Sequence, residues 1–274
     1  MEHRTHVIPG QYGVVSWAPI ERGHAVGEDA SLQMPYYRQD LAMVHHLGFG
    51  FRADDCAPGI LELLHPVLDR AGLVVELGCG SGLLTRYLID AGHRVIATDA
   101  SPAMLEIARS YASDAADIRR LTLPDDPIPS ADAIVSVGHV LCYLPDSDAV
   151  DRALVAAAAA LRPGGVLALD LCDLTWGSER KDMYPRGWAG DDWALVTAFS
   201  LPEPDRFVRQ MAVFTRNDDG SWRRDDESHD NVLVDTSLVP GLLESYGVRT
   251  RVQPSFGAED PLVGLHAIVG HKLD

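Results

Sequence analysis

The sequence predicts an α/β fold with a doubly wound, mostly parallel sheet, an N-terminal helical lid and an antiparallel β insert. Two observations predict this architecture. Strand-like apolar runs and helix-like segments alternate from Leu73 to Leu171, which is typical of a parallel sheet covered on both faces. After Asp173, three segments alternate with a period of two, which is typical of antiparallel strands.

The part of the chain before the first strand is expected to form an arm and two lid helices. Met1–Ser31 is rich in glycine, proline and charge without a sustained period, as in an arm. Pro35–Leu47 can form a helix, which the GFG sequence at 48–50 is expected to end. A second helix follows, with Pro58 predicted in its first turn and Gly72 beyond its end.

The core elements then follow in a regular order. Strands are predicted over Leu73–Leu77, Val95–Thr98, near Ile118, Ala133–Val137 and Val166–Leu171. Helices are predicted over Ser81–Ala91, Ser101–Tyr111 and Ser147–Leu161. In such sheets, ligands bind outside the carboxyl ends of the strands, so the chemistry is expected at that edge.

The last third of the chain is predicted to hold the insert and then to return to the core. Insert strands are expected over Trp193–Phe199, Phe207–Thr215 and Trp222–Val234, and the charged run Arg223–Glu227 is predicted to form a solvated face. A helix over Thr236–Tyr246 and strands over Val248–Val252 and Gly264–Val269 follow. The predicted divisions are the arm and lid at 1–72, the core at 73–172, the insert as a substrate cap at 173–235, and the end of the core at 236–274.

Composition excludes several classes of partner. Lysine and arginine total 23 against 40 aspartate and glutamate, a net charge of −17. Such a surface repels phosphate backbones and anionic lipid, so neither nucleic acid nor membrane is an expected partner. No apolar run approaches the ~20 residues of a membrane helix, and no signal-peptide pattern opens the sequence, so a cytoplasmic location is expected. The four cysteines form no CxxC pair and are interpreted as reduced core thiols, without a metal site.

The sharpest motif is VVELGCGSG at 74–82, a glycine-rich turn between the first strand and its helix. Glycines allow positive φ and a close approach of the backbone to a ligand. Glu76 precedes the glycines, and Asp99 ends the second strand, where a carboxylate can accept both ribose hydroxyls. An acid at 76 suits a ligand with ammonium and sulfonium groups and repels a pyrophosphate. A nicotinamide oxidoreductase, whose fingerprint is GxGxxG, is therefore the weakest alternative.

With these motifs, the sequences DI at 117–118, ADAIVSVGHVLCYL at 131–144 and LRPGGV at 161–166 resemble the class I S-adenosylmethionine-dependent methyltransferases. The lid helices and the insert look like those of the small-molecule branch of this family, in which such pieces close over the acceptor. The resemblance implies a Rossmann-like fold, S-adenosylmethionine as cofactor and S-adenosylhomocysteine as product. It also implies methyl transfer to an oxygen or nitrogen of a small metabolite, such as one of secondary metabolism.

The resemblance also implies which residues hold the cofactor. Glu76 and Gly78 are expected at its methionine part, Asp99 at the ribose and Met104 between ribose and adenine, although Met104 equally fits a core position. Tyr37 is expected as a lid, with core packing as its alternative. The full set of expected cofactor residues is Tyr37, Glu76, Gly78, Cys79, Gly80, Asp99, Ala100, Met104, Asp117 and Ile118, the last two at the adenine.

Two residues are candidates for a catalytic base, which methyl transfer needs only if the acceptor is protonated at the working pH. His139 follows the fourth strand and Asp170 ends the fifth, both at the expected cleft, although a lone histidine can equally be structural. Candidate acceptor-binding residues are Tyr36, His46, Trp176 and Trp193. The tryptophans fit either an apolar acceptor pocket or packing of the insert.

Two alternatives to O- or N-methylation remain. One is methylation of an alkene carbon, in which tryptophans would hold a carbocation and Asp170 would remove the proton. The other is a non-catalytic module that binds an adenosine ligand without turnover. The sequence is consistent with either a monomer or a homodimer.

Overall fold

The computed structural model describes residues 36–178, 180 and 183–274, so the predicted arm Met1–Ser31 lies outside the described residues. The helices are α1 Gln39–Gly48, α2 Phe51–Asp69, α3 Leu83–Asp90, α4 Pro102–Tyr111, α5 Ser147–Ala160, α6 Thr175–Ser178 and α7 Val239–Glu244. The strands are β1 Leu73–Leu77, β2 Arg94–Asp99, β3 Asp117–Arg120, β4 Ala131–Ser136, β5 Leu161–Cys172, β6 Arg186–Ala189, β7 Trp193–Glu203, β8 Arg206–Arg216, β9 Trp222–Val232, β10 Val248–Gln253 and β11 Leu265–Lys272. Short 3₁₀ helices span Val140–Tyr143 and Thr236–Leu238.

The main sheet has seven strands in the order β3-β2-β1-β4-β5-β11-β10. Strands β1 to β5 pair in parallel, whereas β11 is antiparallel to both β5 and β10. The predicted α/β class, with a Rossmann-like, mostly parallel sheet, is confirmed. The switch point lies between β1 and β4, where the chain reverses the direction in which it adds strands, and ligands bind at this position in open α/β sheets.

Two apolar layers cover the sheet. On one face, α2 and α3 pack on the strands through residues such as Ile60, Leu64 and Leu88. On the other face, α5 and α7 contribute Leu154 and Leu243 to a second layer. Because both faces are covered, the central strands carry continuous apolar runs, and β1 is interrupted only by Glu76.

The prediction that Pro58 lies in the first turn of the second helix is wrong. Helix α2 begins at Phe51, directly after the glycine break, and carries Pro58 in its interior. The earlier start places the buried side chains of Cys56 and Ile60 on the stripe that faces the sheet. Burial of this stripe offsets the one hydrogen bond that an interior proline removes.

The insert forms a separate antiparallel sheet in the order β6-β7-β8-β9, one strand more than expected. Its inner face packs on α1 through an apolar cluster that includes Leu41, Trp193 and Met211. Strand β9 also reaches the 3₁₀ helix at 140–143, where the Asn231 side chain donates to the carbonyl of Cys142 at 3.5 Å. The insert and α1 therefore form one cover above the carboxyl edge of the main sheet.

The last predicted helix is divided. Thr236–Leu238 forms a 3₁₀ turn and α7 begins at Val239, with Pro240 in its first turn, where a proline sacrifices no hydrogen bond. The proposed divisions at 72, 172 and 235 fall between elements and stay predictions.

Candidate active site

A cavity of about 380 Å³ lies at the carboxyl ends of β1, β2 and β4, beneath α1 and the segment that leads into it. This is the edge at which the sequence places the chemistry. Nine predicted site residues line the cavity: Tyr36, Tyr37, Glu76, Gly78, Cys79, Gly80, Asp99, Ala100 and Met104.

The glycine-rich turn forms one wall of the cavity, and its glycines have distinct tasks. Gly78 has φ 67°, and a Cβ there would lie 2.4 Å from the Val140 side chain, so both backbone and packing require glycine. Gly80 has φ 55°, and a Cβ there would meet only the Met104 sulfur at 3.9 Å. Gly80 therefore leaves the wall open on the side where a ligand can approach the backbone.

Asp99 holds this turn against the end of β2. One carboxylate oxygen accepts from the backbone N–H of Gly80 and the other from that of Ser101, both at 2.8 Å. Burial raises the pKa of Asp99, and these backbone donors oppose the rise. The Ser101 side chain also accepts from the N–H of Met104 at 3.2 Å, which caps α4 as predicted.

Glu76 is an acid without a cation. Its side chain is 2% exposed and accepts a hydrogen bond from Thr85 Oγ1 at 2.6 Å. In the described part of the chain, no basic side chain lowers its pKa, and burial raises that pKa to about 8. The ligand-free protein therefore keeps Glu76 largely protonated at neutral pH, and a cationic group entering the cavity would favour the carboxylate.

The adenine-side residues lie outside the cavity. The Asp117 carboxylate pairs with Arg119 on the same strand and is about half exposed. Ile118 packs on the apolar cluster around Leu105. The following segment, 120–123, lines the cavity at this end instead. Nothing tests the roles of Asp117 and Ile118 directly, and they stay predictions.

Three acceptor-site candidates also lie away from the main cavity. His46 Nδ1 is 3.0 Å from the Ser81 hydroxyl, so the ring links α1 to the glycine-rich turn. Trp193 belongs to the apolar cluster beneath α1. Trp176 lies against Phe207, and the Arg180 guanidinium sits 3.4 Å from its ring centroid. Their roles toward an acceptor stay predictions without a contact to the cavity.

Asp170 is fully buried and its oxygens are all engaged. It accepts from the backbone N–H groups of His139 at 2.6 Å and Gly138 at 3.2 Å, and it pairs with Arg52 at 3.1 Å. Gly138 and His139 have φ values of 96° and 49°, so this carboxylate fixes a turn of left-handed residues. The geometry gives Asp170 a positioning task.

His139 is a poor proton acceptor in this environment. Burial, and secondly the charge of Arg209, lower the pKa of its imidazole to about 3. The ring stacks on Tyr143 with centroids 5.5 Å apart, and Nδ1 is buried without a hydrogen-bond partner among the described residues. Because the ring stays neutral down to acidic pH, it can orient a neighbouring group but takes up a proton weakly.

A second, smaller cavity of about 90 Å³ lies between α1 and the insert sheet. Its charged residue is Arg209, which donates to Tyr143 Oη and lies 3.4 Å from Tyr37 Oη. The sequence analysis missed this residue, although a signal was present. Phe207, Arg209, Met211 and Val213 share one face of β8, so the alternation places an arginine among inward-facing apolar residues.

The prediction of a solvated face over Arg223–Glu227 is wrong for Glu227. Its side chain is 4% exposed and accepts from the backbone N–H groups of Tyr37 at 2.8 Å and Arg38 at 2.7 Å. It also accepts from His229 Nε2 at 2.8 Å. The period-two pattern of β9 places position 227 inward, and Glu227 binds the segment before α1 to the insert sheet.

Residues 36–178, 180 and 183–274 contain neither a candidate membrane span nor a candidate metal site. No helix there has the length and apolar character needed to cross a membrane. No group of three or more histidine, cysteine or acidic side chains is placed to hold a metal ion. All four cysteines are free and buried.

Residues 74–165 match the protein family described as "Methyltransferase domain". A ubiquinone biosynthesis O-methyltransferase of Xanthomonas axonopodis pv. citri (strain 306) is 32% identical over 125 residues, which cover 43% of this chain. The match spans about half (51%) of that relative's length.

Two solved structures share the fold over most of this chain. The sugar N-methyltransferase KedS8 from Streptoalloteichus sp ATCC 53650 has a TM-score of 0.71 at 18% identity, covering 92% of this chain and all (100%) of that protein. An S-adenosylmethionine-dependent methyltransferase from Clostridium acetobutylicum ATCC 824 has a TM-score of 0.69 at 17% identity, covering 85% and 97% respectively. The resemblance to methyltransferases that the motifs indicate is confirmed, because residues 74–165 match a methyltransferase domain and the fold is shared with S-adenosylmethionine-dependent methyltransferases.

Proposed function

We propose that this protein binds S-adenosylmethionine in the main cavity and transfers its methyl group to an oxygen or nitrogen of a small metabolite. The observation that carries the proposal is the placement of Glu76 across the glycine-rich turn from Asp99. Glu76 is buried, and no cation lies beside it in the part of the chain that the structure describes. A ligand with cationic groups on one side and ribose hydroxyls on the other satisfies both acids.

The cavity fits this cofactor in volume and in chemistry. About 380 Å³ lies within the range of small-molecule sites. The open backbone at Gly80 leaves room beside the turn, and the acids on this wall disfavour a pyrophosphate. When bound, S-adenosylmethionine supplies a methyl group on a sulfonium, which is already a good leaving group.

The chain's own residues then have binding and aligning tasks. Glu76 ionises toward the cationic end of the ligand, and Thr85 stabilises that carboxylate by its hydrogen bond. Asp99 keeps the turn in place through Gly80 and accepts the ribose hydroxyls. Asp170 fixes the turn at Gly138 and His139, which borders the acceptor side.

Alignment, rather than proton removal, is the main contribution proposed on the acceptor side. Asp170 is saturated by its partners, and the pKa of His139 is too low for an efficient base. A neutral amine, or a hydroxyl that ionises easily, needs no strong base. Because Trp176 and Trp193 lie away from the main cavity, the geometry favours oxygen or nitrogen over an alkene carbon as the acceptor atom.

A small acceptor is proposed because a cover lies over the site. Helix α1 and the segment before it line one side of the cavity, and the insert sheet packs on α1. A large protein or a duplex cannot enter beneath this cover without displacing it. The net charge of −17 also disfavours nucleic acid.

Calorimetric binding of S-adenosylhomocysteine tests the cofactor site. Glu76→Gln and Asp99→Asn are each expected to lower the affinity at least about tenfold, because each removes a charge-assisted contact. Glu106→Gln, an exposed acid on α4, is the matched control and should bind normally. Unchanged binding by both site variants would falsify the proposed cofactor site.

Methyl transfer itself separates an enzyme from a non-catalytic binding module. Labelled S-adenosylmethionine would be incubated with a panel of small amines, phenols, alcohols and acids, and the products identified by mass spectrometry. Transfer to a heteroatom is expected. Tight binding with no transfer to any member of the panel would favour the binding module.

A further inference from the structure

Arg209 is a partly buried cation at the inner end of the acceptor side. It extends from β8 beneath the insert sheet, and its terminal nitrogen donates to Tyr143 Oη and lies 3.4 Å from both Tyr37 Oη and His229 Nδ1. All three partners are neutral groups. Across the described ranges, no carboxylate lies within the 4.0 Å that defines an ion pair with this guanidinium.

The nearest acid is reached only through an imidazole. Glu227 accepts from His229 Nε2, which leaves His229 Nδ1 as the acceptor for Arg209. Glu227 is itself engaged by the backbone N–H groups at 37 and 38. Burial lowers the pKa of His229, so this imidazole is neutral and does not bring a charge to Arg209. The positive charge of Arg209 is therefore incompletely compensated.

Two side chains that line the second cavity have nitrogen atoms that make no hydrogen bond among the described residues. Arg209 Nε and His45 Nδ1 are both buried without a partner among the described residues, and both side chains line the second cavity. A buried donor without a partner is costly, so a ligand that accepts from Arg209 gains free energy. Apart from Tyr37 and Thr197, the rest of the lining is apolar and aromatic: Leu41, Phe49, Trp188, Leu195, Phe199 and Met211.

The second cavity adjoins the proposed methyl-transfer site. Tyr37, His45 and Phe49 line both cavities. Tyr143, which receives the Arg209 hydrogen bond, lines the main cavity and pairs with Tyr37 at 2.9 Å between hydroxyl oxygens. A molecule whose reactive atom lies in the main cavity can therefore reach Arg209 past these tyrosines.

We propose that Arg209 binds an oxyanion of the acceptor, a carboxylate or a phosphate, whose apolar body rests on the aromatic lining of the second cavity. About 90 Å³ holds several water-sized groups, enough for such an anionic group. A guanidinium presents paired donors that match these oxyanions, and a desolvated site strengthens the contact. Because the proposed ligand is the methyl acceptor, this inference rests on the proposed function.

The test uses benzoate and its neutral isostere benzamide, with acetate and inorganic phosphate as smaller probes. The ¹⁵N–¹H resonance of Arg209 Nε is assigned by its loss in Arg209→Lys. It is then followed at constant ionic strength, in chloride, with S-adenosylhomocysteine present. Benzoate should shift the resonance saturably and bind roughly 10- to 100-fold more tightly than benzamide, as expected for hydrogen bonds to a charged group. Acetate and phosphate decide between the two oxyanions.

Variants confirm that the preference comes from this residue. Because Arg209→Gln lacks the Arg209 Nε resonance, binding of benzoate and benzamide to the variants is measured by calorimetry. Arg209→Gln should abolish the preference for benzoate, whereas Arg216→Gln, which replaces an exposed arginine on the same strand, should retain it. Equal affinity for benzoate and benzamide, a preference that survives Arg209→Gln, or no shift with any anion at its highest soluble concentration would each overturn the inference.

The same samples separate this inference from the proposed function. Normal binding of S-adenosylhomocysteine without a preference for anions overturns only the oxyanion site. Loss of a response to S-adenosylhomocysteine overturns the proposed cofactor, and the response of Arg209 to anions is then scored without it.

Discussion

The two ends of the site carry opposite unpaired groups. Among the described residues, Glu76 at the glycine-rich turn is a buried acid without a cation, while Arg209 beneath the insert sheet is a partly buried cation without an acid. Glu76 avoids the free-energy cost of a buried charge by holding a proton, because burial raises its pKa to about 8. The guanidinium has no such option, because arginine stays charged in proteins.

Because Glu76 can be neutral, its burial costs little free energy in the ligand-free protein. Arg209 stays charged, so its burial is unfavourable for as long as no ligand is bound. Protonated Glu76 keeps a hydrogen bond with Thr85 and no net charge. The Arg209 guanidinium contacts only neutral groups among its hydrogen-bond partners, which are Tyr143, Tyr37 and His229. Neutral hydrogen-bond acceptors stabilise a buried cation less than a carboxylate does. The comparison therefore predicts different responses to mutation and pH at the two ends.

The largest expected effect concerns Asp170, a third charged group of the site, which does have a partner of opposite charge. Asp170→Ala leaves Arg52 and the N–H groups of Gly138 and His139 without their acceptor. The free energy of unfolding should fall by roughly 3–5 kcal/mol, the usual consequence of breaking a buried ion pair. Urea denaturation measures it, with Glu76→Gln as the contrasting variant that changes it little. Equal losses in the two variants would erase the distinction between paired and unpaired acids.

The next effect is the pH dependence of cofactor binding. The ionised form of Glu76 binds the ammonium group of S-adenosylhomocysteine, so protonation of Glu76 competes with binding below its pKa of about 8. Affinity for S-adenosylhomocysteine should fall about tenfold per pH unit, or roughly 100-fold from pH 8 to pH 6, and level off above pH 8. Calorimetry across this range measures the fall and the proton released. In Glu76→Gln the slope should disappear, and a slope that persists there would assign the proton to another group.

The residues at the two ends of the site also differ in how well the sequence alone predicts their positions and partners. Glu76, Gly80 and Asp99 come from short motifs at the ends of neighbouring parallel strands, so spacing alone places them around one cavity. The partners of Asp170 and Arg209 come from distant parts of the chain. Asp170 meets Arg52 across 118 residues and Arg209 meets Tyr37 across 172.

Those distant pairings depend on how the lid and the insert pack, which local patterns do not specify. The main sheet followed from apolar periodicity, and the insert strands from period-two alternation. Trp193 illustrates the limit, because its burial was foreseeable while its position beneath α1 required the tertiary contact. The alternation in β8 indicates that Arg209 faces inward, but only the folded structure shows that no carboxylate of the described residues pairs with it.

A smaller effect is expected from Thr85, whose hydrogen bond to Glu76 helps to set the pKa of that acid. Thr85→Val removes the hydroxyl that stabilises the carboxylate at 2.6 Å while nearly preserving the side-chain shape. The pKa of Glu76 should rise further, and affinity for S-adenosylhomocysteine at pH 7 should fall by about 1.5 kcal/mol, or roughly tenfold. The pH at which binding levels off should move upward in the same titration. Weaker binding without that movement would show that Thr85 acts on the fold of the turn instead.

The smallest expected effect is that of replacing Arg209, beneath the insert sheet, on the free energy of unfolding. Arg209→Met replaces a partly buried cation, which has no carboxylate partner among the described residues, with an apolar side chain of similar length. Tyr37 and Tyr143 keep their mutual hydrogen bond. Loss of the guanidinium contacts and relief from its desolvation oppose each other, so the free energy of unfolding should change by less than about 1 kcal/mol. Thermal and urea unfolding test this, with Arg216→Met on the same strand as control. A loss as large as that of Asp170→Ala would make Arg209 a structural anchor. A small change would mean that folding does not require this cation, as expected of a group whose partner is a ligand.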